Sequence, residues 1–145
     1  MIYLDTSAFL KLYVRESGSA LVQKLVTAQN EPLPLWDLLQ AEMINAIRLK
    51  TFWGEIDGTQ AGSLIALFDE RLQRGQYFVA EIDRSRLMRA FRDLSDKTAR
   101  TGCRTMVILH VACALQLGPN HFVSFDERQR SLASAAGLKV LPEDI

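Results

Sequence analysis

Residues 121–141, HFVSFDERQRSLASAAGLKVL, predict a strand, a helix and a second strand in direct succession. The first strand is expected at 121–125, and Asp126 stands at its end. The helix is expected at 126–136 and the last strand at 138–141. Two strands joined through a helix usually pair in parallel by a right-handed crossover. This stretch therefore predicts a parallel sheet with helices packed against it.

Short apolar runs and amphipathic stretches alternate along the rest of the chain. Further strands are expected at 1–4, 33–36 and 77–82, and helices at 9–14, from 21 onwards, and at 38–52, 57–74, 83–97 and 105–117. Because the strands are apolar throughout rather than alternating, the sheet should be covered on both faces. The pattern predicts an α/β fold, a single three-layer α/β/α domain over 1–145 with a parallel sheet of about four or five strands.

The composition excludes several classes of protein. The chain carries 17 basic and 17 acidic side chains, so bulk attraction cannot hold it on nucleic acid. No apolar stretch approaches the ~20 residues that span a bilayer, and the start lacks a basic signal-peptide region. We therefore expect a cytoplasmic protein with no membrane contact. Cys113 falls in the helix expected at 105–117 and Cys103 just before its start. Ten residues of helix rise about 15 Å, too far for a disulfide, so both are expected as buried thiols.

Two acidic residues follow predicted strands, Asp5 after MIYL and Asp126 after HFVSF. Ligands of open parallel sheets gather at the carboxyl ends of the strands, so the two carboxylates should converge on one crevice. The alternative is that both residues are helix N-caps, a role in which aspartate is preferred. A third acid, Glu42, interrupts the apolar face of its helix, although a lone glutamate there usually faces solvent. Carboxylates that converge from distant segments are tolerated when a divalent cation neutralises them.

Four blocks of the chain resemble a known family. They are YLDTSAFLKLYV at 3–14, AEMINAI at 41–47, GCRTMVILHVACALQLG at 102–118 and FVSFDERQRSLASAAGLKVL at 122–141. Together they resemble PIN-domain proteins of the VapC-like kind, the toxins of type II toxin–antitoxin pairs. The resemblance covers essentially the whole chain. It implies metal-dependent cleavage of RNA with Mg²⁺ or Mn²⁺, and it assigns the catalytic and metal-binding acids to Asp5, Glu42 and Asp126.

The same resemblance implies supporting roles around these acids. The hydroxyls of Thr6, Ser7 and Ser124 would lie beside the metal or its waters. Arg48 and Arg104 are candidates for contacts with RNA phosphates, against the alternative that they are ordinary solvated surface charges.

The block at 104–112, RTMVILHVA, departs from the family pattern. The pattern has an aspartate as its third acid where this chain has Val107. With Thr105 as the N-cap, position 107 lies in the first helical turn, where an acid would be stabilised by the helix dipole. Valine supplies no oxygen to a hard cation, so three acids remain of the expected four. The block therefore predicts impaired cleavage.

Two origins of Val107 stay open. One is that the chain is a naturally silent or weakened member of the family. The other is that the valine was fixed during cloning, since one base change converts an aspartate codon into a valine codon. The function predicted from the resemblance is a metal-dependent endoribonuclease toxin with impaired activity. The alternative is a catalytically silent PIN-fold module that docks an antitoxin or RNA without cutting it.

The resemblance also implies partners: a cognate antitoxin, an RNA substrate and a second copy of the chain in a homodimer. The early helices carry Phe9, Tyr13, Leu39 and Met43, more apolar residues than a small core needs. They predict a groove that would take an amphipathic helix.

The remaining candidates have structural interpretations. His110 on an apolar helix is expected to be a hydrogen-bonded structural residue. Trp36, Phe52 and Trp53 lie near helix ends, where aromatic residues usually belong to the core; the alternative is that some of them line a partner groove. An aspartyl phosphatase is disfavoured because it needs a second aspartate where this chain has Ser7, and a receiver domain lacks its early acidic pair and late lysine.

Overall fold

The computed structural model describes residues 1–144, which fall into two compact units. Unit 1 comprises residues 1–7 and 81–144, and unit 2 comprises residues 8–80. The strands are β1 (Ile2–Leu4), β2 (Leu33–Leu35), β3 (Tyr77–Val79), β4 (His121–Val123) and β5 (Val140–Leu141). The helices are α1 (Thr6–Leu10), α2 (Ser19–Gln29), α3 (Asp37–Phe52), α4 (Gly58–Gln73), α5 (Arg84–Ser95), α6 (Thr98–Thr101), α7 (Thr105–Leu117) and α8 (Glu127–Ala135). Within residues 1–144, no helix combines the length and the hydropathy needed to cross a bilayer.

Unit 1 is built on a parallel three-stranded sheet with the order β1-β4-β5. Ile2 pairs with His121 and Leu4 with Val123, so the first strand of the chain lies beside the fourth. All of β1 is buried, and the rings of Tyr3 and Phe122 stack with 5.5 Å between their centroids. The helices α5 and α7 pack against each other. The sheet thus places the carboxyl ends of β1 and β4 side by side.

Unit 2 contains a parallel two-stranded sheet, β2 with β3, and the packed helix pair α3 and α4. Its centre is an aromatic cluster of Phe9, Tyr13, Phe68 and Tyr77. The Phe9 and Tyr77 rings meet edge to face at 5.0 Å, and the hydroxyls of Tyr13 and Tyr77 are hydrogen-bonded at 2.5 Å. Edge-to-face contacts of this kind add to the stabilisation that burial alone provides.

The α/β class and the parallel pairing are confirmed, and residues 1–144 contain five strands. The strands form two sheets rather than the single sheet that we expected. The Leu33 N–H and the Leu35 C=O form hydrogen bonds on the side of β2 that faces β3. The backbone of Pro34, which lies between them, therefore faces away from β3. Proline has no N–H to give to a strand there, which suits β2 to the edge of a sheet. The single three-layer domain stays a prediction.

Several predicted boundaries were wrong. α1 ends at Leu10 because the N–H groups of Lys11 and Tyr13 bond to carbonyls three residues back, as in turns. Asp37 and Thr105 are the first residues of their helices, and the residues before them make no side-chain capping bond. Acids and small polar residues suit the first turn as well as the cap, so the pattern does not separate the two positions. β3 ends at 79 and β4 at 123, earlier than expected, and α6 was not predicted.

The apolar surface also differs from the prediction. Phe9, Leu39 and Met43 are fully buried within the chain, so the predicted groove formed by these side chains is wrong. Conversely, Phe52 and Trp53 are 83% and 59% exposed and do not belong to the core. Trp36 is buried, as expected, and Tyr13 is half-buried.

Candidate active site

Asp5 lies directly after β1 and is held at the end of the sheet. Its backbone N–H donates to Val123 C=O at 3.1 Å, which carries the ladder between β1 and β4 one residue further. The side chain is only 4% exposed. Ser7 Oγ lies 2.9 and 3.0 Å from the two carboxylate oxygens, and Ser124 Oγ lies 2.8 Å from Oδ2. A buried carboxylate is tolerated when hydroxyls satisfy its oxygens in this way.

Asp126 approaches the same point from β4. Its N–H donates to Ser124 Oγ at 3.1 Å, while its Oδ1 accepts the Gln129 N–H at 2.9 Å. The second bond makes Asp126 the N-cap of α8, so this alternative is confirmed for Asp126. Asp5 and Asp126 therefore lie on one edge of the sheet, as predicted, with the Ser124 hydroxyl between them.

Val107 is the third residue of α7 and is half-buried. Together with Asp126 it lines an open cavity of about 530 Å³. The other lining residues are Gly102, Cys103, Arg104, Glu127 and Arg128. The position at which the family pattern has an acid thus faces the same space as Asp126, and in this chain it offers methyl groups there.

Gln129 joins these parts of unit 1 and was not predicted. It is 2% exposed, its Oε1 lies 2.7 Å from Ser124 Oγ, and its Nε2 donates to Val107 C=O at 3.2 Å. Glutamine three residues after an N-cap usually indicates a capping box, in which the side chain reaches back to the cap. The capping-box pattern therefore identifies the position of Gln129, but it predicts a side chain that returns to the N-cap, whereas the observed side chain contacts Ser124 and Val107.

His110 is a structural residue, as expected. It is 3% exposed, with Nδ1 lying 2.7 Å from the Tyr3 hydroxyl and Nε2 3.1 Å from Thr6 Oγ1. Thr6 is therefore engaged with the imidazole. Both cysteines are free and buried, also as expected, and burial raises the pKa of Cys113 to about 12.

Glu42 and Arg48 belong to unit 2, where α3 carries both. Glu42 is half-buried and Arg48 is exposed. In unit 1, Arg104 is exposed at the rim of the Val107 cavity, at the start of α7.

The acids of unit 1 do not by themselves complete a site for a divalent cation. Within residues 1–144 no group of three or more histidine, cysteine and acidic side chains is arranged to hold a metal ion. Asp5 and Asp126 offer carboxylates at the sheet edge, and a hard cation held there would take its remaining oxygen ligands from water or from other groups. The wall at position 107 is apolar.

No family model matches the chain. Ribonuclease VapC46 from Mycobacterium tuberculosis is 28% identical over 142 residues, which cover 97% of this chain and 95% of the relative. The structure of M. tuberculosis VapC20, a toxin that cleaves the sarcin–ricin loop, superposes with a TM-score of 0.68. It is 16% identical, and the match covers 95% of this chain and 96% of that one. The FitAcB structure from Neisseria gonorrhoeae gives a TM-score of 0.63 at 16% identity, covering 98% and 97% of the two chains. These relationships extend over nearly the full length of the chain, and they confirm its resemblance to the VapC-like PIN-domain proteins.

Proposed function

We propose that this chain is a ribonuclease-type toxin of a toxin–antitoxin pair whose cleavage centre is weakened by Val107. The similarity to ribonuclease VapC46 over 97% of the chain carries this proposal. The hydroxyl-linked acids at the end of the β1–β4 sheet support it, since active sites of parallel sheets lie at that edge. A cognate antitoxin and a homodimer belong to the same proposal and rest on the resemblance.

The proposed acid cluster consists of Asp5, Glu42 and Asp126, with Mg²⁺ or Mn²⁺ as cofactor. Ser7 and Ser124 fix the orientation of the Asp5 carboxylate at the sheet edge. Glu42 is included on the resemblance alone. When bound, a divalent cation at such acids lowers the pKa of water and stabilises charge on the scissile phosphate.

Val107 weakens this centre for two physical reasons. It removes one negative oxygen ligand from the cavity that it shares with Asp126. It also leaves the first turn of α7 without an acid, although the positive end of the helix dipole would stabilise one there. A nucleophile that is misplaced by ~1 Å can by itself cost about 10²-fold in rate.

The decisive test is cleavage of RNA by Val107→Asp, with and without Mn²⁺. We expect at least a ~10²-fold gain in the Mn²⁺-dependent rate over the unaltered chain. Val107→Asn is the matched control, since it has the shape of aspartate without the charge, and it should give little gain. Asp5→Asn or Glu42→Gln, added to Val107→Asp, should each abolish the gain.

Strong cleavage by the unaltered chain would contradict the weakening at position 107. A folded Val107→Asp protein that still does not cleave would favour the second candidate, a PIN-fold module that binds an antitoxin or RNA. The apolar wall of the Val107 cavity is the observation that supports this candidate.

A further inference from the structure

The helix α5 carries an exposed arginine surface, formed by Arg84, Arg86, Arg89 and Arg92. Asp93 is the one acid within this 12-residue helix, and the caps Asp83 and Asp96 are acidic as well, so the segment 83–96 has a formal charge of +1 in a chain whose net charge is zero. Within the described residues 1–144, none of the four guanidinium groups has an ion-pair partner. The positive potential is therefore local to the four unpaired guanidinium groups rather than a property of the whole segment.

The start of α5 is fixed to α7, which positions the arginine surface. Asp83 caps the helix by accepting the N–H groups of Ser85 at 2.9 Å and Arg86 at 3.1 Å. The Gln116 side chain of α7 in turn accepts the Asp83 N–H at 2.7 Å and donates to the Asp83 C=O at 3.1 Å. The guanidinium groups therefore extend from a helix whose end is doubly anchored.

A groove of about 200 Å³ lies between α5 and α7 beside two of these arginines. It is lined by Arg86, Arg89, Ala90, Ala112, Leu115 and Gln116. Three of these lining residues, Ala90, Ala112 and Leu115, are apolar, and Leu115 is 36% exposed. A guanidinium plane beside apolar side chains suits an unstacked nucleobase, while the charge suits the phosphates on either side of it.

We propose that the α5 arginine surface and this groove bind single-stranded RNA, with Arg86 and Arg89 contacting the phosphate backbone. The inference rests on the proposed function, in that RNA is the polyanion such a chain would act on. Leu115 follows Val107 by eight residues of α7, about 12 Å along the helix axis. The groove and the cavity that Val107 shares with Asp126 thus lie at different positions along α7 and have no lining residue in common.

The experiment measures binding of a fluorescein-labelled single-stranded RNA of about 20 nucleotides by anisotropy, with chelator present to prevent cleavage. The test variant is Arg86→Gln with Arg89→Gln. The matched control is Lys24→Gln with Lys139→Gln, which removes the same charge from exposed sites on α2 and before β5.

Each phosphate contact to a single strand contributes about 0.7 to the logarithmic salt slope. Loss of two contacts should lower the slope by about 1.4 and weaken binding about 25-fold at ~0.1 M salt. The control should change the affinity by no more than about threefold, because neither lysine belongs to the arginine surface or lines the groove.

Equal affinity of the arginine variant and the unaltered chain would overturn the proposal, as would an equal loss in the lysine control. Poly-L-glutamate is the second probe: if it binds as tightly and depends equally on Arg86 and Arg89, the surface serves an acidic protein and the RNA proposal fails. The cleavage test with Val107→Asp separates the two proposals. If Val107→Asp gains cleavage while the arginine variant binds RNA as the unaltered chain does, only the proposal of an RNA-binding arginine surface is overturned. If Val107→Asp does not cleave while the arginine variant loses RNA binding, the proposal of the arginine surface is retained.

Discussion

One hydroxyl, that of Ser124, connects the two acids at the end of the sheet. Ser124 is fully buried and contacts Asp5, the Asp126 N–H and Gln129, while the amide of Gln129 continues to the carbonyl of Val107. Because Ser124 lies directly after β4, these contacts hold Asp5, Asp126 and the start of α7 in fixed positions relative to one another. We expect this residue to contribute to stability as well as to the geometry of the candidate site.

Ser124→Ala should lower the free energy of unfolding by about 1–3 kcal/mol, because it leaves buried polar partners without a hydrogen bond. Urea unfolding followed by circular dichroism measures the loss. Ser131→Ala, an exposed serine on α8, is the control and should change stability by less than ~0.5 kcal/mol. Equal stabilities of the two variants would show that the Ser124 contacts are energetically unimportant.

At this edge the sequence identifies some residues well and others poorly. Asp5 and Asp126 could be placed together because parallel strands end at one edge, and this requires only the strand pattern. Gln129 could not be found, since its spacing from Asp126 is equally that of a capping box. The contact from Gln129 to Val107 C=O joins α8 to α7, and no local pattern specifies which carbonyl a buried amide will reach.

At the scale of elements, α4 is a helix whose two ends the sequence predicts to within one residue. The predicted range 57–74 compares with the observed Gly58–Gln73, with Asp57 as N-cap and Arg74 as C-cap. Asp57 Oδ1 accepts the Gln60 N–H at 2.7 Å, and Gln60 Oε1 accepts the Asp57 N–H at 2.8 Å, a complete capping box. Both partners are local, so the sequence contains all the information that this boundary needs.

Asp57→Ala should therefore destabilise the chain by about 0.5–2 kcal/mol, since it removes the capping acceptor. Asp69→Ala removes the same charge from an exposed site within α4 and should cost less than half as much. The difference between their urea midpoints isolates the cap. A cost for Asp57→Ala no larger than that for Asp69→Ala would mean that the capping box does not stabilise α4.

Strand ends depend on partners that are distant in sequence, so their prediction was poorer. The apolar run at 77–82 extends beyond β3, which ends at Val79, and the last bond to β2 is from Ala80 N–H to Leu35 C=O at 2.7 Å. Apolar character indicates burial, whereas strand length is set by how far the neighbouring strand continues. For the same reason the sequence predicts the five strands but not their division between two sheets.

At the scale of the whole molecule, the groups that lose a proton above neutral pH should all lower the free energy of unfolding. Burial raises the pKa of Tyr13 and of Cys113, and the hydrogen bond to Glu55 raises the pKa of Lys50. In each case the unfolded chain releases its proton at a lower pH than the folded chain does. The free energy of unfolding is therefore fully retained below about pH 9 and should fall as the pH rises further.

Cys113→Ala should make this decline shallower by up to about 1.4 kcal/mol per pH unit between pH 9.0 and about 12, because it removes one of the titrating groups. Val111→Ala also shortens a fully buried side chain of α7 but keeps the thiol, so its slope should match the unaltered chain. The measurement is urea unfolding at a series of pH values. Parallel declines for Cys113→Ala and Val111→Ala would exclude Cys113 as a contributor.

The pairing of β1 with β4 also determines when Asp5 can meet Ser124. Asp5 and Ser124 are 119 residues apart in the chain. At roughly 5–20 residues per second, a ribosome needs about 6–24 seconds to travel between them. Unit 2 is contiguous and is synthesised entirely within that interval, whereas the second segment of unit 1 is not yet complete. A nascent chain of this protein therefore carries Asp5 for most of its synthesis without the strand that completes the site.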